Sequence, residues 1–450
     1  MLEPPGEVSR ALIAREERAV GTAIKIRFFP LVVDRARGAR LWDVDGREYL
    51  DFTAGWAVAN TGYGHPRVVE AVKAKLDKIT FASFTSVVTE PSVRLAERLC
   101  RLVPGRFQKR CWFGLSGSDA NDCIAKMLPL ATGRPRLLSF VGAYHGQTGG
   151  SLSLSGHSAQ ARFPGSGAVV KVPYPYCYRC PFGKEHPGCG LFCLRFIEDY
   201  VFKTICPPGD TAAVVVEAIQ SDGGDVVPPD DFLPALAELC QRCDIRLVTD
   251  EVKVGFGRTG RMFAFEHSGV VPDAVTMAKP IASGFPLSAV VARKEILDAG
   301  VATHLFTTGG HPVGCAAALA TIDIIEQERL AENAARVGAR LKSSLEDLQS
   351  RCPLIGDVRG KGLIIGVELV RDLVTREPAT RETAKVVYRC FELGLVVFYV
   401  GIHSNVIEIT PPLTLTADEA DQGVRLLARA LDDVIAGRVP DEKVARYAGW

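Results

Sequence analysis

The stretch DAVTMAKPIASGFPLSAV (273–290) is apolar through Ala274, Val275, Met277 and Ala278 and then stops at Lys279. Pro280, Ser283, Gly284 and Pro286 turn the chain behind it. An apolar strand that ends on a lysine and bends places an amine at the strand's carboxyl end, where open α/β sheets bind ligands. Partly desolvated there, the amine holds its proton less firmly and becomes a nucleophile. Taken alone, such a lysine usually just leaves a strand for solvent. Two upstream runs repeat the pattern. IRLVTDEVKVGFGRTG (245–260) ends its apolar part on Asp250 and Glu251, and AAVVVEAIQSDGG (212–224) ends on Glu217, Gln220 and Asp222. Three consecutive buried-type strands thus deliver an amine and several carboxylates at their carboxyl ends. Those are the parts needed for nucleophilic attack and for moving a proton.

Two other places could hold a ligand. CWFGLSGSDANDCIAKMLPLATG sets a small-residue turn immediately before a helix. Gly117 lets the backbone approach a ligand, and Ser118 can cap the helix while presenting a hydroxyl. The free N–H groups of such a helix end bind anions. LLSFVGAYHGQTGGSLSLSG (137–156) reads as a strand leading into Tyr144, an aromatic that can lie flat on a planar ring.

The elements that must position these residues alternate along the chain. Residues 1–27 read as an N-terminal arm with one helix. Residues 39–55 alternate apolar and polar positions around Asp45-Gly46, a hairpin signature. A helix begins near Pro66, and another fills 91–105 between Pro91 and Pro104-Gly105. The helical pattern at 230–244 joins two of the functional strands, a βαβ arrangement that implies a parallel sheet. A glycine-rich turn leads into a long helix at 307–328. A hairpin at 354–369 and further α and β units then build a smaller C-terminal domain, closed by ADEADQGVRLLARALDDVIAG. This organisation divides the chain into 1–54 (arm and part of the small domain), 55–320 (large domain) and 321–450 (C-terminal small domain). GFGRTG (255–260) matches a dinucleotide fingerprint letter for letter, but the aromatic RMFAFEHSG after it is a poor helix, so that reading is refused.

With 450 residues the chain is too long for one simple core. A formal net charge of +1 gives no electrostatic footprint for nucleic acid or an anionic membrane surface. No apolar run approaches the roughly 18 residues of a membrane span. The N-terminal stretch carries Glu3, Glu7, Glu16 and Glu17 and is not a secretory signal. Thirteen scattered cysteines, an odd number, argue for a reducing compartment, and cytoplasm is expected. Cys177, Cys180, Cys189 and Cys193, with His186 among them, could as thiolates suit tetrahedral zinc. Their loose second spacing and aromatic company favour reduced thiols in an ordered surface loop, so no metal is assigned.

In order, SGSDAN, GAYHG, EAIQSDGG, TDEVKVGFGRTG, AKPIASGFPLSAV and TTGGHPVGCAA resemble the class III aminotransferase family of pyridoxal-phosphate enzymes. The resemblance runs from Arg27 to the closing Ala448-Gly449-Trp450. It is closer to the α-amino-ε-caprolactam racemase and isoleucine 2-epimerase branch than to ordinary transaminases. The resemblance implies an α/β protein of fold type I, with a large, mostly parallel sheet flanked by helices and a smaller α/β domain. Lys279 would bond the cofactor's aldehyde and Asp250 would keep the pyridine nitrogen protonated, so that the ring can act as an electron sink. Gly117 and Ser118 would cradle the phosphate, Tyr144 would stack on the ring, and Val252 would pack against a ring face. Thr307 resembles the family position that reaches the phosphate of a neighbouring subunit. A homodimer, or a tetramer built from it, is therefore expected.

Three positions depart from the transaminase pattern: Asp222 stands where glutamate is usual, Lys253 where glutamine is usual, and Glu408 where many members carry a carboxylate-binding arginine. All three are similar to the racemase branch, in which Asp222 and Lys279 would be the two acid–base groups and Tyr144, Lys253 and Trp56 would shape the site. Glu408 would repel an α-carboxylate, which suggests a lactam or amide substrate. The reading is a racemase or epimerase acting on an amino acid or its derivative; the alternative is an ω-amino-acid or amine transaminase.

Overall fold

A computed structural model describes residues 4–447 apart from 159, 162 and 164; the closing Ala448-Gly449-Trp450 of the resemblance lies outside them. Near the start of the chain, β1 (Val33–Arg37), β2 (Arg40–Asp43) and β3 (Glu48–Asp51) form an antiparallel meander. The expected hairpin turn is present, with Gly46 at φ 86°, a left-handed conformation that glycine adopts without strain.

The sheet that carries the site has seven strands: β4 (Lys109–Gly114), β5 (Arg136–Phe140), β6 (Val169–Val172), β7 (Thr211–Glu217), β8 (Arg246–Asp250), β9 (Ala274–Met277) and β10 (Ser288–Arg293). Their spatial order is β4-β10-β9-β8-β7-β5-β6. The pairs among β5 to β9 are parallel, and β10 runs against both of its neighbours. β7 and β9 are buried at every position. They therefore read as unbroken apolar runs, as parallel strands covered on both faces do. Helix Gly117–Thr132 packs against β7, β9 and β10, and helix Phe232–Arg242 makes the crossover between β7 and β8.

The remaining strands are β11 (Ile355–Lys361), β12 (Ile364–Leu369), β13 (Leu395–Val396), β14 (Phe398–Val400) and β15 (Val406–Ile409). Four of them form an antiparallel sheet in the order β11-β12-β15-β14, while β13 pairs in parallel with β3 and joins the first sheet. Helices Leu330–Gln349, Thr380–Leu393 and Ala417–Ile435 accompany these strands. The division between 320 and 321 falls inside helix Pro312–Gln327. Helix Glu7–Ala19 supplies the N-terminal arm.

GFGRTG is not followed by an α-helix. Its Arg258 is fully buried, donating to the carbonyls of Leu363, at 2.9 Å, and Pro411 and to Asn60 Oδ1 at 2.5 Å. The segment straps the large sheet to the small one. Cys177, Cys180, Cys189 and Cys193 line one small apolar cavity with Phe182, His186 and Phe192. Among the described residues these cysteines are free, and no group of three or more His, Cys, Asp or Glu side chains is placed to hold a metal. No described helix is long and apolar enough to cross a membrane.

Candidate active site

Strand register builds this site. Glu217 of β7 lies opposite Asp250 of β8, and Asp250 lies opposite Thr276 of β9. Lys279 follows three residues later, in a 3-10 turn spanning Lys279–Ala282. The strand ends thus put Glu217, Asp250 and Lys279 around one cavity of about 420 Å³, which Gly117, Ser118, Asn121, Tyr144, His145, Val252 and Lys253 also line.

Asp250 is oriented from several sides. Its Oδ2 accepts from Asn121 Nδ2 at 2.8 Å and lies 2.7 Å from His145 Nδ1, while its Oδ1 accepts from Val252 N at 2.9 Å. Burial opposes a charge on His145, but the hydrogen bond and negative charge of Asp250 outweigh it and raise the imidazole above its ordinary range. The Lys279 amine is shifted the other way. Burial, and then the positive charge of Lys253, take it below the usual lysine range, although Asp222, Glu408 and Asp250 resist. Its Nζ lies 6.0 Å from the centre of the Tyr144 ring.

Behind this wall lies a buried charge cluster. Lys253 Nζ donates to Glu408 and, at 3.3 Å, to Asp222 Oδ1, and it sits 5.1 Å from the centre of the Trp56 ring. Burial would lower the Lys253 pKa, but Glu408, Asp222 and Asp225 together raise it. Asp222 responds in kind: burial pushes its carboxyl up, while Lys253, Lys279 and His157 pull it below the ordinary aspartate range. Asp225, fully buried beside Glu408, is raised far above that range, first by burial and then by the neighbouring negative charge.

At the other end of the cavity, helix Gly117–Thr132 starts with a capping box. Ser116 Oγ accepts from Asp119 N at 3.3 Å, and Asp119 Oδ2 accepts from Ser116 N at 3.1 Å. This corrects the sequence reading of Ser118 as the cap. Ser118 lies inside the first turn, where its hydroxyl accepts from Gln147 N at 3.2 Å. The cap falls on Ser116 because that residue keeps the extended backbone a cap needs, at φ −142° and ψ 164°. Gly117 has a specific reason to lack a side chain, since a Cβ there would meet Val252 Cγ1 at 2.7 Å.

The donor set fits pyridoxal phosphate. The helix amino end suits a phosphate, a carboxylate clamped by His145 and Asn121 suits a protonated pyridine nitrogen, and a lysine of lowered pKa suits an aldehyde. His145 Nε2 and Asn121 Oδ1 are buried without a hydrogen-bond partner among the described residues, which leaves the Asp250 end of the cavity with polar capacity to spare.

Gly117, Ser118, Tyr144, Asp250, Val252, Lys253 and Lys279 line the cavity. Asp222 adjoins two of the lining residues, Ser221 and Lys253, and Trp56, beside Lys253, packs on Phe398 with ring centres 4.6 Å apart. Glu408 is 1% exposed and bonded to Lys253, whose one positive charge it shares with Asp222. Thr307 is exposed, away from this cavity, with its carbonyl accepting from Ser83 Oγ at 3.1 Å. The sequence reading named Glu217 only as a strand-end carboxylate and assigned no role to His145, Asn121 or Ser221. His145 adjoins Tyr144, a signal that points to it. Asn121 and Ser221 gain their significance only from the register of helix and sheet.

Comparison with known proteins agrees with this geometry. The family model for class-III aminotransferases matches residues 23–431. The chain is 41% identical over 454 residues to an alanine/serine racemase of Pyrococcus horikoshii, covering 99% of this chain and 95% of that protein. It is 38% identical over 455 residues to an isoleucine 2-epimerase of Lentilactobacillus buchneri, covering 99% and 100%. An amine transaminase from an uncultivated Pseudomonas species, solved in its PLP-bound form, superposes with a TM-score of 0.84 at 33% identity, covering 98% of this chain and 99% of that one. With its lysine, its clamped aspartate and its helix-end cradle on one edge of a mostly parallel sheet, the chain belongs to the class III aminotransferase family, pyridoxal-phosphate enzymes of fold type I.

Proposed function

We propose that the protein is a racemase or epimerase that inverts the α-carbon of an amino acid or a close derivative. One observation carries this reading: Asp222, a buried carboxylate kept ionised by Lys253, lies within electrostatic reach of Lys279. Inversion needs two acid–base groups, one for each face of the α-carbon, whereas transamination needs only one. When bound, pyridoxal phosphate supplies an aldehyde for the amine and an electron sink that acidifies the substrate's α-hydrogen. Asp250 would face the pyridine nitrogen, the first helical turn at Gly117 and Ser118 would receive the phosphate, and Tyr144 and Val252 would hold the ring. Lys279 then moves the proton on one face and Asp222 on the other. Because Asp222 starts ionised, it takes the hydrogen from one enantiomer while Lys279 returns one to the opposite face; for the other enantiomer the roles exchange. Trp56 and Lys253 shape the substrate side.

The names of the racemase and epimerase relatives support an amino acid as substrate. We also infer a homodimer. Phe81, Val88, Val301 and Leu305 are exposed at 42%, 80%, 100% and 53% on segments that pack together around Thr307, a surface that a second copy would cover.

The second reading, an amine or ω-amino-acid transaminase, is favoured by the amine transaminase that superposes on 98% of the chain. A single experiment separates the two. One enantiomer of alanine, leucine or isoleucine is incubated in deuterated water, with and without a keto-acid acceptor. Inversion with deuterium at the α-carbon and no acceptor requirement is expected. Acceptor-dependent loss of the amine without inversion selects the transaminase. Lys279→Ala should abolish turnover under either reading.

A further inference from the structure

Two buried polar groups in the same wall have no task in that scheme. Glu217 is 6% exposed and Ser221 2% exposed, and both line the cavity beside Asp222. Ser221 N and Ser221 Oγ donate to Glu217 Oε1 at 3.3 and 3.4 Å. The same hydroxyl lies 3.5 Å from Asp222 Oδ1. A hydroxyl both donates and accepts, so the three side chains form an unbroken path from one carboxyl to the other. The second oxygen of Glu217 accepts from Tyr144 N at 3.3 Å, which fixes the carboxyl at the cavity wall.

We propose that Ser221 and Glu217 are the relay through which Asp222 exchanges, with water in the cavity, the hydrogen it takes from a substrate. The inference rests on the racemase reading above and adds to it how the second acid–base group is reset. The step involves protons only. Asp222 passes the captured proton to Ser221 Oγ, Ser221 releases its own hydroxyl proton to ionised Glu217, and Glu217 exchanges that proton with water. Burial pushes the Glu217 carboxyl up to about 7, with Asp250 and Asp222 adding to it and His145 and Ser221 N opposing, so its acid and base forms coexist near neutrality. Lys253 also touches Asp222, but Glu408 and Asp222 hold its proton more firmly than usual, which makes it a poor carrier.

The test follows isotope at the α-carbon. Full-length, pyridoxal-phosphate-loaded wild type, Ser221→Ala and Glu217→Gln are given each α-deuterated enantiomer of alanine, or of whichever amino acid the inversion assay shows to be turned over, in ordinary water. Deuterium loss from the unconverted enantiomer is compared with inversion at early times. For the enantiomer whose hydrogen goes to Asp222, both variants should return more of the original deuterium, lowering loss per inversion severalfold. For the other enantiomer, served by Lys279, the ratio should stay at the wild-type value, and Ser221→Thr should restore the first. Equal ratios in wild type and variants, or equal changes for both enantiomers, overturn the relay while leaving the racemase reading intact. A wild type that inverts nothing overturns both.

Discussion

Gly117 shows how a single hydrogen atom in place of a side chain serves the site. It carries the first turn of the helix to within van der Waals range of Val252, and both residues line the cavity. Gly117→Ala should drive its new methyl into Val252 Cγ1 and displace one wall or the other. The expected result is about tenfold weaker retention of pyridoxal phosphate, on the order of 1.4 kcal/mol, read by dialysis and absorbance. Adding Val252→Ala should recover most of the loss, because it removes the atoms in conflict. At this scale much is legible in the sequence: Lys279, Asp250, Tyr144 and Gly117 each sit where an apolar run or a helix meets a turn. Asn121 was not legible, because an asparagine in the middle of a helix looks like any other until the facing strand is known.

Among elements, the carboxyl ends of β7, β8 and β9 set the electrostatics. Glu251, one residue beyond β8, is fully buried, and its two oxygens accept from Ala264 N at 2.8 Å and Phe265 N at 3.1 Å. Burial outweighs these bonds and pushes its carboxyl up to about 8. A group whose folded pKa is raised stabilises the fold fully below its unfolded pKa, near 4.3, and that contribution is lost as pH rises through the folded value. Glu251→Gln keeps an acceptor and removes the titration. It should therefore gain on wild type between pH 5 and 8, by up to about 1.4 kcal/mol per pH unit, and level off above. Thermal midpoints at pH 5, 7 and 9 check this. Helix and strand types were readable from periodicity, but the cap at Ser116 was not. A run of Ser116, Gly117 and Ser118 offers two serines, and only the backbone angles choose between them.

At the scale of the whole molecule, the exposed apolar segments around Thr307 bear on the inferred dimer. Val301→Asp together with Val88→Asp should convert the inferred dimer to monomers in sedimentation velocity and lower activity at least tenfold if Thr307 completes a neighbouring site. A wild type that sediments as a monomer would remove that role for Thr307. Sequence pattern predicted the alternation of the large sheet, since covered parallel strands are continuous and apolar. It did not predict that β13, a two-residue strand from the far end of the chain, pairs with β3, because so short a segment has no periodicity of its own. That pairing has a consequence during synthesis. A growing chain that has emerged only as far as residue 390 has β3 without its parallel neighbour and Lys253 without Glu408. The large sheet can form by then, but its lysine lacks part of the counter-charge that lets it stay dry. Maturation of the pocket must wait for β13 and Glu408 to leave the ribosome.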